Sequence, residues 1–197
     1  MAMDTIFMKT PSVNGCTCGQ VHIGLVSRMM TFHPLRSHNG GSTTASCQDF
    51  MCCEGVPSGL HRDASPEQKC TIITDVNGNM MVKEKLSELG HPNENPAEAL
   101  GVNPLKRGVQ ALMDRTGALD IVWPWAHTCW CNINNICATP VLDWKTPILV
   151  HHGCTPDISA HLQCQFWEKI HFKVDESSPS TKESPGHWLG VSKTMGD

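Results

Sequence analysis

The longest purely aliphatic runs in this chain are three residues, as at Ile148-Leu149-Val150. A helix crossing a bilayer needs about 20 consecutive apolar residues, so no membrane partner is expected. Any buried face must be assembled from short, separated pieces. The apolar supply is also thin. Hydrophobic residues are 40% of the 197 positions, and that share includes 11 Cys and 10 Met, while Phe occurs five times and Tyr not at all. Sixteen Gly and 13 Pro punctuate the whole length, which keeps elements short. A compact chain of this size buries roughly 70% of the surface its unfolded form exposes. The expected fold class is therefore α+β, small and loop-rich, with short strands.

Three helices are expected. The first covers 80–89 and stops at Gly90 before Pro92. The second covers 104–116, with Asn103 as cap, Pro104 in the first turn, Gly117 as stop, and Leu105, Val109, Leu112 and Met113 on one face. The third covers 156–173, with Thr155 as cap and Ile158, Leu162, Phe166 and Ile170 repeating every four residues. Strands are expected at Ile121-Val122-Trp123 and Ile148-Leu149-Val150, and Asn77-Gly78 suggests a turn between apolar runs. Residues 1–66 read as an irregular Cys-containing region around the flexible stretch Ser37 to Ser46. Residues 67–174 read as one small α+β domain, and 175–197 as a disordered tail.

The formal net charge is −4, and no basic run exceeds Lys106-Arg107. Binding to a phosphate backbone through surface charge needs a basic footprint, so no nucleic-acid partner is expected. The first residues lack the basic and apolar regions of a secretory leader. That makes an intracellular location, cytoplasmic or nuclear, the expectation, and with it reduced or metal-bound thiols. The Cys count is odd, which also disfavours a closed disulfide set.

The densest chemistry lies in Trp125 to Cys137, where one His and three Cys fall within thirteen residues. Zinc takes four N or S ligands in a tetrahedron. On an extended strand His127, Cys129 and Cys131 would share a face, and Cys164 on the third helix would complete the set. Cys137, Cys154 and His161 are substitute ligands. The rival reading is that these are small buried hydrophobes. The functional expectation is a non-enzymatic interaction or regulatory protein with a zinc-stabilised C-terminal half and a protein partner. Two alternatives stand beside it: a thiol-dependent hydrolase, and the product of a recently arisen reading frame. The chain has no P-loop, no Gly-x-Ser-x-Gly and no His-Glu-x-x-His.

Overall fold

A computed structural model describes residues 1–88, 94–173 and 183–192. Its centre is a five-stranded sheet in the order β3-β2-β1-β4-β5. The strands are β1 (Ala2–Phe7), β2 (Cys18–Ile23), β3 (Met30–Leu35), β4 (Gly59–Arg62) and β5 (Lys83–Leu86). The first three form an antiparallel meander, with Ala2 opposite Ile23 and Cys18 opposite Leu35. The last two join in parallel, each through a helix: α1 (Gly40–Glu54) leads into β4, and α2 (Thr71–Asn79) leads into β5.

Successive side chains of a strand point to opposite faces, and β1 feeds two cores. Ala2 and Ile6 join Val21, Ile23, Val102, Leu105, Val109 and Trp123. Met3 joins Cys47 and Phe50 of α1, Leu60 of β4 and Ile73 of α2. The first face is covered by α3 (Asn103–Thr116) and α4 (Trp123–Ile136), and the second by α1 and α2. Beyond α4 come α5 (Pro147–His152) and a separate antiparallel pair, β6 (Lys169–Lys173) with β7 (Glu183–His187).

The mixed helix-and-strand class is as expected, and so is the helix over 104–116. Gly117 ends that helix at φ 64 with its N–H on the Met113 carbonyl. Asn103 does not cap it, because a π-helical turn over Glu98–Val102 runs straight into it and Asn103 is itself helical.

Several expectations are corrected. The N-terminal third is not irregular: it supplies four of the five strands and α1. All six residues of β2 are buried, so the strand shows no in-out alternation to read. The supposed linker is the first half of α1. Asn39 Oδ1 accepts from the Ser42 N–H at 2.9 Å, and Thr43, Thr44 and Ser46 are buried. Around residue 80 the order is the reverse of the expected strand, turn and helix. Thr71–Asn79 is the helix and Lys83–Leu86 the strand, while Leu89 lies outside the described residues. All four residues of β5 are exposed, and its Lys-Glu-Lys pattern is that of a charged edge strand, which resembles a helix surface.

The long helix over 156–173 is absent. Its sequence divides into a 3-10 turn (Ser159–Leu162) and β6, with Trp167 at φ 64 between them. The two expected strands at 121–123 and 148–150 are helical. Part of the expected disordered tail, Glu183–His187, is a paired strand, whereas 174–182 and 193–197 lie outside the described residues.

Candidate active site

Of the expected zinc ligands, His127, Cys129 and Cys131 sit on α4, not on a strand, and Cys164 lies between the 3-10 turn and β6, not on a helix. At about 100° per residue, helix positions two apart face nearly opposite ways, and the surroundings follow that rule. Cys129 lines a cleft of about 280 Å³ together with His161 and Cys164. Cys131 lines a different one with His33 and Cys53. His127 lines a third; its Nδ1–H donates to the Trp123 carbonyl at 2.7 Å, and its ring stacks on Phe32 at 4.5 Å. Cys137 closes the C-terminus of α4, exposed, and Cys154 is exposed just beyond α5. Cys129, Cys164 and His161 are thus brought to one cleft, and His127 and Cys131 are not. Burial also pushes the Cys129 and Cys47 thiols up to about 11. Those two are poor thiolate nucleophiles.

A different set of side chains converges on the middle of the sheet. Asp4 interrupts the apolar β1 and shares the face of Ala2 and Ile6. In the parallel pairing Ala2 stands opposite His61. Asp63 is the residue directly after β4, two positions past that pair, and its charge acts on Asp4. One oxygen of each acid is taken by the following backbone: Thr5 N–H donates to Asp4 Oδ1 and Ala64 N–H to Asp63 Oδ1, both at 2.7 Å. Each carboxylate therefore has a second oxygen to offer. The loop carrying Asp63 is pinned as well, because the Asp63 N–H donates to Gln68 Oε1 at 2.9 Å and Gln68 is buried.

Glu98 is the third member. It opens the π-helical turn that leads into α3. Just ahead of it, buried Asn95 donates from Nδ2 to the Met3 carbonyl at 3.1 Å and accepts from the Ala97 N–H at 3.1 Å. One amide side chain thereby ties the start of this helix to β1, one residue before Asp4.

The electrostatics agree with this placement. The Asp4 carboxyl is pushed up to about 6, first by burial and then by the neighbouring charges of Asp63 and Glu98; the Thr5 N–H and Lys106 oppose the rise. Lys106, on α3, also acts on His127, which burial drives down to about 4. Lys106 lines a cleft of about 730 Å³ between the end of β1 and α3, bounded by Lys9, Met113, Trp123 and His127. Trp123 closes one side, its Nε1–H donating to the Thr10 carbonyl at 2.9 Å. The acids and this cleft thus share a lysine.

The sequence alone does not single out these three acids, which stand at positions 4, 63 and 98 with no local motif around them. One signal was present. A lone Asp within the apolar hexapeptide AMDTIF is costly to bury unless it has a task.

No protein-family model and no curated protein sequence matches the chain. Among solved structures it is similar to the catalytic core domain of the HTLV-2 integrase, described in complex with magnesium in a trimeric form. The identity is 13% and the TM-score 0.60, over 77% of this chain and 94% of that one. At that identity the likeness establishes a shared fold.

Proposed function

We propose that this chain is a divalent-metal-dependent enzyme that cleaves or transfers phosphodiester bonds of a nucleic acid, with Asp4, Asp63 and Glu98 as its metal-binding carboxylates. The observation that carries the reading is that Asp63, just past β4, and Glu98, at the start of the turn into α3, both lie near enough to Asp4 on β1 to help raise its proton affinity. Three hard oxygen donors suit Mg²⁺, which is commonly bound through one or two carboxylates together with waters and substrate phosphates. Asp4, Asp63 and Glu98 are not among the described groups whose donor atoms all lie within 4.8 Å of one another, so the donor chemistry is what fits. The shared fold with a magnesium-bound integrase core supports the same chemistry.

A bound Mg²⁺ would polarise a phosphoryl oxygen and lower the pKa of a coordinated water. The chain's own part is to hold the acids on a rigid sheet, to fix Glu98 through Asn95, and to place the Lys106 ammonium beside a phosphate. The adjoining cleft has room for a nucleotide unit. The lack of a basic footprint is then no obstacle, since phosphate would be met chiefly through the cation.

The test is Mg²⁺- or Mn²⁺-dependent cleavage of a labelled duplex DNA by the purified chain. Asp4→Asn, Asp63→Asn and Glu98→Gln should each lower the rate by about 100-fold or more, a loss of several kcal/mol of charge stabilisation. Cleavage that persists at full rate in Asp63→Asn, or without added metal, contradicts the reading.

A further inference from the structure

Helices α1 and α5 end against each other, about a hundred residues apart in sequence. The last residue of α1 is Glu54, and the last two of α5 are His151 and His152. A helix C-terminus carries a partial negative charge and favours cations. Here two such ends meet, the last turn of α1 holds no basic residue, and the Glu54 carboxylate between them is only 5% exposed. Two imidazoles approach Glu54, one at its carboxylate and one at its backbone carbonyl. His152 Nε2–H donates to Glu54 Oε2 at 3.1 Å. His151 places Nε2 3.0 Å from the Glu54 carbonyl oxygen, and its other nitrogen lies 3.3 Å from Ser27 Oγ. The two rings stand perpendicular with centroids 4.7 Å apart. One donor atom from each of Glu54, His151 and His152 lies within 4.8 Å of the others. Among the described residues this is the group of three or more His, Cys, Asp or Glu that meets that spacing.

We propose that Glu54, His151 and His152 form a binding site for a divalent transition metal of the zinc class, separate from the carboxylates on the sheet. Two imidazoles and one carboxylate are a borderline N/O set that favours Zn²⁺ over Mg²⁺. Three protein ligands leave a fourth position for water. With Nε2 of His151 on the ion, its ring proton sits on Nδ1 and donates to Ser27 Oγ, an outer contact that fixes the ring's orientation. The ion replaces the hydrogen bonds from His152 to the Glu54 carboxylate and from His151 Nε2 to the Glu54 carbonyl, puts a cation beside two helix C-termini and a buried carboxylate, and clamps α5 to α1. The site does not depend on the function proposed for the sheet.

The experiment is a Zn²⁺ titration of the full chain by competition with a chromophoric chelator, in excess Mg²⁺. The exposed Cys52, Cys53, Cys137 and Cys154 are replaced by Ser to remove thiol binding. His152 is 37% exposed at its side chain, so His152→Gln should fold. It and Glu54→Gln are expected to weaken zinc at least about 10-fold, while Asp4→Asn leaves zinc affinity unchanged. Co²⁺ bound to the parent should give visible ligand-field bands that His152→Gln lacks. Equal zinc affinity in parent and His152→Gln, or no zinc bound once the four thiols are gone, overturns the site. Neither result touches the DNA-cleavage assay, so the two readings fail separately.

Discussion

The side-chain amide of Asn95 reaches the backbone carbonyl of Met3 at 3.1 Å, joining the segment that carries Glu98 to the strand that carries Asp4. Asn95→Ala removes this bond and the one from Ala97, and leaves a buried carbonyl without its donor. The expected cost is about 1–3 kcal/mol in denaturant unfolding. A larger effect is expected on metal-dependent turnover, because Glu98 loses its tether. An Asn95→Ala protein with reduced stability but unchanged turnover would show that Asn95 positions nothing.

Asp4→Asn should stabilise the protein while abolishing the proposed metal-dependent cleavage. The Asp4 carboxyl stands at about 6 in the fold against an ordinary 3.8. The native state therefore holds the proton more tightly than the unfolded chain, and stability falls as pH rises from about 4 through about 6. Above that window the ionised Asp4 costs about 3 kcal/mol, which the Asn variant regains in metal-free buffer. Urea unfolding at mildly alkaline pH measures it. A variant less stable than the parent at that pH contradicts the burial of a charged Asp4.

His22 lies wholly buried in β2, its ring 5.1 Å from that of His33 and 5.2 Å from that of Phe50, and neither of its nitrogens has a hydrogen-bond partner. Burial, and secondarily the charge of His33, hold it well below its ordinary 6.5. A depressed base contributes stability that is complete above 6.5 and is lost as pH falls. His22→Leu removes both the acid sensitivity and two unsatisfied nitrogens. We expect a gain of about 1–3 kcal/mol near neutrality and a flatter stability profile on the acid side. A profile as steep as the parent's would assign the acid loss to other groups, His127 first.

Gly108 on α3 lets α4 approach so closely that a Cβ there would run into the indole nitrogen edge of Trp130. Gly108→Ala gains about 1 kcal/mol of helix propensity but must displace the indole, a cost of typically 1–3 kcal/mol. A net loss is expected, together with altered tryptophan fluorescence. A net gain would mean that Trp130 swings clear without penalty.

The parts of the fold that were legible in the sequence are those with local causes. The α3 helix announces itself through its apolar stripe and the Gly117 stop. The strands β2 and β5 did not, one because both of its faces are buried and the other because an exposed charged edge mimics a helix surface. The strand β7 consists of Glu-Ser-Pro-Gly-His and is held by pairing with β6 and by the stacking of His187 on Trp167. The same division holds for chemistry. The Cys-x-Cys run in α4 was conspicuous, yet helical geometry sends its members to different clefts. Asp4, Asp63 and Glu98 become neighbours only because β4 lies beside β1 and one asparagine ties the start of the turn into α3 to β1.

The most direct test is a Mn²⁺ titration of the full chain followed by electron paramagnetic resonance of the free ion, with Glu54 and His152 replaced by Gln to silence the second cluster. The account predicts saturable Mn²⁺ binding that Mg²⁺ displaces and that Asp4→Asn and Asp63→Asn each abolish. Binding of the same strength in both Asn variants, or none in the parent, would contradict a metal held between β1 and the end of β4.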